Sequence, residues 1–180
     1  MKLMIASDLH GSAFYCRQLL AAMEREQPDK LLLLGDILYH GPRNDLPEGY
    51  APKEVIPMLT GLKDRLFCVR GNCDTEVDQM VLDFPVMADY CILAIEGKTM
   101  YATHGHIYNK DNLPPMMDGD ILIHGHTHVL KAENMGNYIL LNPGSVSIPK
   151  EGNPPTYAIL ENGIFTIKDF EGNTVREITL

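Results

Sequence analysis

The chain has 180 residues, enough for one compact domain with a substantial buried core, so we expect a single domain over residues 1–180. With 45% hydrophobic and 22% charged residues, its composition is that of an ordinary globular protein and argues against disorder. The formal net charge of −9 disfavours binding of long nucleic acids, which requires clustered Lys and Arg.

The cysteine pattern and the N-terminus bear on the cellular compartment. No Cys-x-x-Cys pair occurs, so we interpret the cysteines as reduced thiols rather than as a disulfide framework. The first apolar run, Leu3 to Ala6, is followed closely by Asp8, so neither a signal peptide nor a transmembrane span is predicted. We therefore expect a cytoplasmic protein with no membrane partner.

The N-terminal part of the chain predicts a β-α-β unit. Lys2 to Ser7 and Lys30 to Leu34 are short apolar strands on either side of an amphipathic helix. This order implies a parallel strand pair with a right-handed crossover. Asp8, His10 and Asp36 follow the carboxyl ends of the two strands, which is where ligands bind in such sheets.

The middle of the chain predicts a long loop, a weak helix and a third strand. Tyr39 to Pro52 is polar and rich in Gly and Pro, and loops of this length inside a compact domain are usually functional. A helix from about Lys53 to Leu62 is weakened by Pro57, which would break an interior turn. The strand Leu66 to Val69 follows, and polar residues come directly after it.

The second half of the chain is mainly composed of predicted strands. Tyr90 to Ile95 and Thr99 to Thr103 read as a hairpin, and Asn112 to Met117 is interpreted as a short helix. Ile121 to Ile123 forms a buried strand, and the C-terminal third alternates strands with Gly/Asn turns. Together with the N-terminal unit, this predicts a mixed α/β fold.

Five predicted strands are each followed by side chains that can bind a metal. A single polar side chain at the end of a strand usually has a structural role. A His-rich segment such as residues 124–128 could on its own be a surface loop. Five endings in one chain, each close to a Gly, are difficult to attribute to core packing. Histidines two apart on an extended segment also point the same way. The side chains concerned are Asp8, His10, Asp36, Asn72, His104, His126 and His128.

These blocks resemble the motifs of calcineurin-like metallophosphoesterases. The series Asp-x-His, Gly-Asp, Gly-Asn-x-Asp, His and Gly-His-x-His runs from residue 8 to residue 128, with Thr103 before the fourth block. The small size, the Gly-Asn-Cys-Asp block at residues 71–74 and the loop at residues 142–145 resemble the YfcE-type phosphodiesterases of bacteria and archaea. The resemblance implies an α/β four-layer sandwich, with two mixed β-sheets flanked by helices.

The resemblance also implies a two-metal phosphodiesterase. Two divalent ions, Mn²⁺ with Fe, Zn or Mg as alternatives, would hold a bridging hydroxide that attacks the phosphorus of a small phosphodiester in line. A carboxylate would bridge the ions, because its two oxygens can serve two cations. One ion would be held by Asp8, His10, Asp36 and His128, and the other by Asp36, Asn72, His104 and His126.

Three further residues receive candidate catalytic roles. Many relatives carry His where this chain has Cys73, and that His is thought to protonate the leaving oxygen. A thiol is a weaker acid than imidazolium, so we predict slow turnover of poor leaving groups, unless Cys73 only packs beneath the site. His106 could supply the missing acid. Asp74 would orient a neighbouring side chain or act as a carboxylate at a helix N-terminus.

Several alternatives remain open from the sequence. His40 and Arg43 could bind substrate phosphate or belong to a solvated loop. The runner-up function is a non-catalytic metal-binding interaction module, because the retromer subunit of similar fold serves binding. A structural zinc site is disfavoured, because such sites are usually closed by Cys and His without a bridging carboxylate. Since related small members assemble, we expect a homo-oligomer, a dimer or tetramer.

Overall fold

The computed structural model describes residues 1–180 as eleven strands and three α-helices. In chain order they are β1 (Leu3–Ala6), α1 (Ala13–Glu26), β2 (Lys30–Leu33), α2 (Pro52–Thr60), β3 (Leu66–Cys68), α3 (Glu76–Val81), β4 (Tyr90–Ile95), β5 (Lys98–Thr103), β6 (Ile121–His124), β7 (Lys131–Asn134), β8 (Ile139–Asn142), β9 (Thr156–Glu161), β10 (Ile164–Asp169) and β11 (Thr174–Thr179). The strands form two mixed sheets, as expected.

The first sheet has six strands in the order β11-β10-β9-β1-β2-β3. β1 pairs in parallel with β2, and β2 with β3, so the predicted β-α-β unit is confirmed. All four residues of β1 are buried, as expected for a central strand covered on both faces. β9 to β11 complete the sheet as antiparallel strands.

The second sheet has five strands in the order β4-β5-β6-β8-β7. Its centre is parallel, because β5 pairs with β6 and β6 with β8. The predicted hairpin joins β4 to β5. Glu96 and Gly97 form its turn, both with positive φ (50° and 78°), which matches a type I′ turn.

Two apolar clusters hold the layers together. One packs α1 and α2 against the outer face of the first sheet, and the other fills the space between the two sheets. β1 serves both clusters, because Met4 and Ala6 face the helices while Leu3 and Ile5 face the second sheet. A helix-free segment, residues 105–119, crosses the outer side of the second sheet. Helices therefore flank the first sheet only.

Prolines lie in two of the predicted helices, with different outcomes. The helix predicted over Asn112 to Met117 is wrong, because Pro114 and Pro115 lie inside it and remove main-chain donors. In contrast, α2 forms despite Pro57 and ends at Thr60, close to the expected boundary. None of the three α-helices has the length and apolar run needed to span a membrane.

Glu26 at the end of α1 ties this helix to the first sheet. It accepts hydrogen bonds from the Tyr157 hydroxyl (3.0 Å) and from Lys168 Nζ (2.8 Å), and Lys2 Nζ lies 3.4 Å away. Burial raises the pKa of Glu26, but the bonds from Lys168 and Tyr157 outweigh it and leave the pKa lowered. The ionised form of Glu26 therefore stabilises the fold.

Replacing Glu26 should lower stability in a pH-dependent way. We expect Glu26→Gln to cost about 1–2 kcal/mol at pH 7, because Lys168 and Tyr157 lose a charged acceptor. A depressed carboxyl pKa contributes stability above the ordinary glutamate pKa of about 4.3 and loses it as the pH falls further. Urea unfolding at pH 7 and pH 4 tests this, with the exposed Glu24→Gln as control. Equal losses in both variants would contradict the prediction.

Candidate metal centre

The ends of five strands from both sheets meet at one place. β1, β2 and β3 of the first sheet and β5 and β6 of the second are followed by loops that carry the candidate ligands. Of these side chains, Asn72 is exposed and His126 is half-buried, so these two face solvent, while the others are buried. The structure brings together all seven: Asp8, His10, Asp36, Asn72, His104, His126 and His128.

Most of the candidate ligands adopt a rare backbone conformation. The φ angles are 58° at Asp8, 48° at His10, 54° at Asp36, 64° at His126 and 60° at His128. This left-handed region costs a non-glycine residue about 1–3 kcal/mol and persists only where the surroundings impose it. Five of the nine non-glycine residues with positive φ lie at this one centre. Such concentrated strain is typical of functional sites.

Three histidine rings are fixed by main-chain carbonyls. Nδ1 of His10, His104 and His128 lies 2.8, 2.6 and 2.6 Å from the carbonyl oxygens of residues 39, 34 and 148. A carbonyl only accepts, so each Nδ1 carries a proton and donates it. In the neutral ring this leaves the lone pair of Nε2 directed into the centre. Histidine ligands of metals are commonly oriented in this way.

The free ring nitrogens crowd against one another. Nε2 of His10 lies 3.3 Å from Nε2 of His128, and Nε2 of His104 lies 3.2 Å from Nδ1 of His126. Nε2 of His104 is also 3.1 Å from Oδ1 of Asn72. When these rings are neutral, the lone pairs that face each other at such distances repel, and a cation between them would turn the repulsion into attraction. The donor set therefore fits divalent cations.

The two carboxylates add the negative charge that cations require. Asp36 Oδ2 lies 3.7 Å from Nε2 of His10 and 3.5 Å from Nε2 of His104. Asp8 Oδ1 is buried without a hydrogen-bond partner, 3.3 Å from Nε2 of His128. A buried carboxylate oxygen is rarely left unpaired unless it binds an ion. This orphaned oxygen is a second observation in favour of a metal site.

The charges of the centre depend strongly on one another. Burial raises the pKa values of Asp8 and Asp36, but contacts with His128 and His104 respectively outweigh it and leave both lowered. Burial lowers the pKa of His104, but Asp36 and Asp8 overcome this and raise it to about 9. The carboxylates therefore hold a proton on His104. A metal ligand must be deprotonated, so a bound cation would take the place of that proton.

Cys73 lines the cleft beside the carboxylate of Asp36. Its N–H donates to Asp36 Oδ1 (2.8 Å), and its sulfur accepts from Asn72 Nδ2 (3.3 Å). Burial, followed by the negative charge of Asp36, raises the pKa of the Cys73 thiol well above its usual range. At neutral pH the residue is therefore an uncharged thiol.

Asp74 holds the main chain around Asp36. Its carboxylate accepts the N–H groups of Asp36 (2.8 Å), Ile37 (2.9 Å) and Gly71 (2.7 Å). Burial raises its pKa to about 6 despite these three bonds, which act in the opposite direction. The carboxylate thus orients main chain rather than a neighbouring side chain, and Thr75, not Asp74, caps α3.

The loop after β8 supports the centre from behind. The hydroxyls of Ser145 and Ser147 both donate to the carbonyl of Asp8, at 2.9 and 3.0 Å. Asn142 Nδ2 donates to the carbonyl of Gly125 at 2.9 Å. This supporting role of Asn142, Ser145 and Ser147 is not predicted by the sequence. The sequence signal for such a role was a run of polar residues next to Gly144. It does not identify the partners, because these lie more than ten residues away along the chain.

A cleft of about 390 Å³ opens beside the ligands. Its walls include Arg43, as the sequence suggested, and Lys150, which the sequence analysis did not consider. Asp36 is the only carboxylate among the lining residues, and no Phe, Tyr or Trp is among them. His40 does not line the cleft, because its ring packs between those of Tyr39 and Tyr50.

His106 lies next to the centre but faces a different cavity. Its ring centroid is 5.4 Å from that of His104 and 6.3 Å from that of His126. It lines a second cavity of about 230 Å³ together with His124, and His126 and Thr127 separate this cavity from the main cleft. Burial, and then the charge of His104, lowers the pKa of His106.

The chain belongs to the calcineurin-like phosphoesterase superfamily. The model of that superfamily domain matches residues 1–163, which includes every candidate ligand. Superfamily membership and the convergence of metal-binding side chains identify the protein as a metal-dependent phosphoesterase.

Particular relatives narrow this class. The chain is 46% identical over 167 residues to the phosphodiesterase YfcE of Escherichia coli K12, covering 93% of this chain and 91% of that protein. A solved structure of YfcE, described as a phosphoesterase from E. coli, superposes with a TM-score of 0.97 at 43% identity over 99% of both chains. Vps29 of Entamoeba histolytica shares the fold, with a TM-score of 0.65 at 22% identity over 100% of this chain and 99% of that one.

Proposed function

We propose that this protein is a phosphodiesterase that uses two divalent metal ions to hydrolyse a small phosphodiester. The observation that carries the proposal is the position of Asp36, whose Oδ2 lies 3.7 Å from Nε2 of His10 and 3.5 Å from Nε2 of His104. One carboxylate can therefore serve two neighbouring cations. The similarity to the phosphodiesterase YfcE supports a diester as the substrate class.

The contacts suggest how the ligands divide between two ions. Asp8, His10 and His128 form one compact group, and Asp36 and His104 lie beside it. Asn72 and His126 contact His104 on the solvent side. We therefore propose two sets that share Asp36. They are Asp8, His10, Asp36 and His128, and Asp36, Asn72, His104 and His126.

We propose Mn²⁺ as the native metal, with Fe, Zn or Mg as alternatives. The donors are oxygen and nitrogen atoms, a set that suits these ions. The sulfur of Cys73 lies within 4.8 Å of donor atoms of His10 and Asp36. Its raised pKa opposes the thiolate form that a soft metal would require.

The chain's own residues orient the reaction. Bound divalent ions would supply an activated water and offset the charge of the phosphate. The carbonyls of residues 34, 39 and 148 hold the rings of His104, His10 and His128 in one orientation. Asp74 fixes the main chain on both sides of the centre, which limits the movement of Asp36. Water would then attack phosphorus in line, opposite the leaving alcohol.

The neutral thiol of Cys73 predicts a strong dependence on the leaving group. We expect kcat/KM to fall steeply from activated aryl diesters to alkyl diesters, because the uncharged thiol of Cys73 is a poor acid for protonating the leaving oxygen. Cys73→His should raise activity toward alkyl diesters about tenfold relative to aryl diesters. A diester series of increasing leaving-group pKa measures this, with Cys73→Ser as the control for size. An unchanged slope in Cys73→His would mean that Cys73 only packs.

His106 is the second candidate for donating the leaving-group proton. It lines the cavity next to the main cleft, so it would reach only a leaving group directed past His126. If it acts in this way, His106→Ala should lose about tenfold or more on alkyl diesters and little on aryl diesters. Full retention of alkyl-diester activity would exclude the role.

The setting of the enzyme is also part of the proposal. We propose that all 180 residues form one catalytic domain, because both sheets contribute ligands. The net charge of −9 and the small cleft favour a small diester over a long nucleic acid.

We also propose a compartment and an assembly. The free cysteines suit the cytoplasm. The edge strand β4 exposes Tyr90 and Ile92, a surface that suits a homodimer or homotetramer.

The alternative of a non-catalytic metal-binding module is not favoured. The likeness to Vps29, at 22% identity, concerns the fold alone. The relative at 46% identity is a phosphodiesterase. A binding module has no need for a shared carboxylate among four histidines.

Hydrolysis of an aryl phosphodiester, beside the matching monoester, tests the proposed function. Protein treated with chelator is resupplied with Mn²⁺, Mg²⁺ or Zn²⁺, and bound metal is counted by elemental analysis. We expect diester cleavage to return with Mn²⁺ at two ions per chain. Protein that binds two ions but cleaves no diester with any metal would favour the interaction module.

A further inference from the structure

Two cations face the cleft from two different loops, and neither of them is a candidate metal ligand. Arg43 belongs to the loop after β2 and Lys150 to the loop before β9, and both line the cleft. The N–H of Lys150 donates to the carbonyl of His128 at 3.1 Å. The main chain at Lys150 is therefore tied to the backbone of a candidate ligand, which sets its position relative to the centre.

Neither cation has an acidic partner in the structure. Exposed cations elsewhere on the chain do form ion pairs, as Lys110 does with Asp111 at 2.8 Å. The chain has 24 acidic and 15 basic residues, so unpaired cations at one cleft are not explained by a shortage of acids. Asp36 is the only carboxylate that lines the cleft, and it is directed toward the histidines. The charges of Arg43 and Lys150 are thus free for a ligand.

The scissile phosphate alone does not account for these two cations. The carboxylates of Asp8 and Asp36 would offset only half of the positive charge of two divalent ions. A phosphodiester adds a single negative charge, which the remaining positive charge of the ions can balance. The metal centre alone could therefore neutralise the charge of the scissile phosphate, without Arg43 and Lys150. Most residues that line the cleft are polar, and its only aromatic rings are the imidazoles of the candidate ligands His126 and His128. Nucleobases are typically recognised by stacking on aromatic side chains, and the cleft offers no Phe, Tyr or Trp for this purpose.

We infer that Arg43 and Lys150 bind a second anionic group, a phosphate or a carboxylate, on one arm of the scissile diester. The inference rests on the proposed phosphodiesterase function and narrows its substrate class to small polyanionic diesters. In a protein of net charge −9, two local cations would also concentrate such substrates at the cleft. Arg43 and Lys150 are therefore specificity-determining residues.

A matched pair of chromogenic diesters tests the inference. One is 4-nitrophenyl 2-carboxyethyl phosphate, and in the other the carboxylate is converted to its methyl ester. Both keep the charge of the phosphodiester, so they differ only in the charge of the carboxylate. With Mn²⁺-loaded protein at low salt, we expect kcat/KM to be about tenfold higher for the carboxylate. The difference should shrink at high salt, because both cations are exposed.

Charge-removing variants assign the preference to the two residues. In the double variant Arg43→Gln/Lys150→Gln, the ratio of kcat/KM for the carboxylate to kcat/KM for the methyl ester should fall about tenfold, so that the preference is lost. Lys53→Gln, which removes an exposed cation outside the cleft, should keep the preference. Calorimetric titration with Mn²⁺ should give the same metal binding in all three proteins. Non-cleavable phosphonate analogues of both diesters should show the same preference in binding.

The outcomes separate the two hypotheses. A preference for the carboxylate that survives in the double variant, or equal kcat/KM for both diesters in the unmodified protein, would overturn the role of Arg43 and Lys150. Absence of cleavage of either diester with any metal would overturn the proposed function. In that case the phosphonate pair still decides whether the two cations select an anion.

Discussion

Replacing Asp36 with Asn should lower kcat/KM toward an aryl phosphodiester by at least about a thousandfold. The amide is neutral, so the oxygen that now faces both His10 and His104 would lose the negative charge that two cations would share. Its NH₂ group would also point either at the histidine nitrogens or at the N–H of Cys73, which now donates to Asp36 Oδ1. Steady-state kinetics with Mn²⁺ and metal counts on the same sample measure the effect. We expect fewer than two ions per chain.

A second buried carboxylate provides the control for this variant. Asp120 accepts main-chain N–H groups from Thr99 (3.1 Å) and Met117 (2.8 Å) and lies at the other end of β6 from the ligands. Asp120→Asn should lower stability but leave metal content and kcat/KM within about threefold of the unmodified protein. If Asp36→Asn keeps two ions and more than a tenth of the activity, Asp36 does not bridge.

The strand ends were predictable because two simple patterns coincide in the sequence. Apolar runs such as Ile121 to Ile123 mark buried strands, and the parallel order of β1 and β2 places their carboxyl ends at one edge. Polar side chains that follow such runs, as Asp36 does, must then lie at that edge. Local pattern and topology are enough to bring the candidate ligands together.

Features that depend on long-range contacts were not predictable. Asp74 belongs to the Gly-Asn-Cys-Asp motif, but its carboxylate accepts the N–H groups of Asp36 and Ile37, which only the folded chain brings near. Lys150 enters the cleft because its main chain pairs with His128, and no sequence pattern indicates that pairing. The helix expected over Asn112 to Met117 was a failure of local reasoning, because the two prolines were visible in the sequence.

Gly125 gives a second prediction with a large effect, although it is not a ligand. A Cβ at this position would lie 1.8 Å from the hydroxyl oxygen of Ser7 and 2.7 Å from Oδ2 of Asp8. The main chain would have to move, which would break the 3.0 Å bond from the His126 N–H to Asp8 Oδ2. We expect Gly125→Ala to cost about 3 kcal/mol of stability. We also expect it to weaken Mn²⁺ binding at least about tenfold.

Gly61→Ala is the matched control, because the nearest atom to a Cβ at that position is a carbonyl oxygen at 3.4 Å. It should change stability by less than about 0.5 kcal/mol and leave metal binding unaltered. Urea unfolding in the presence of chelator isolates the steric cost, and calorimetric Mn²⁺ titration measures the effect on the site. Equal behaviour of the two variants would contradict the close packing of Gly125 against Asp8. Weak metal binding in Gly125→Ala, with all seven candidate ligands unchanged, would mean that affinity depends on the main-chain geometry that aligns the ligands as well as on the ligands themselves.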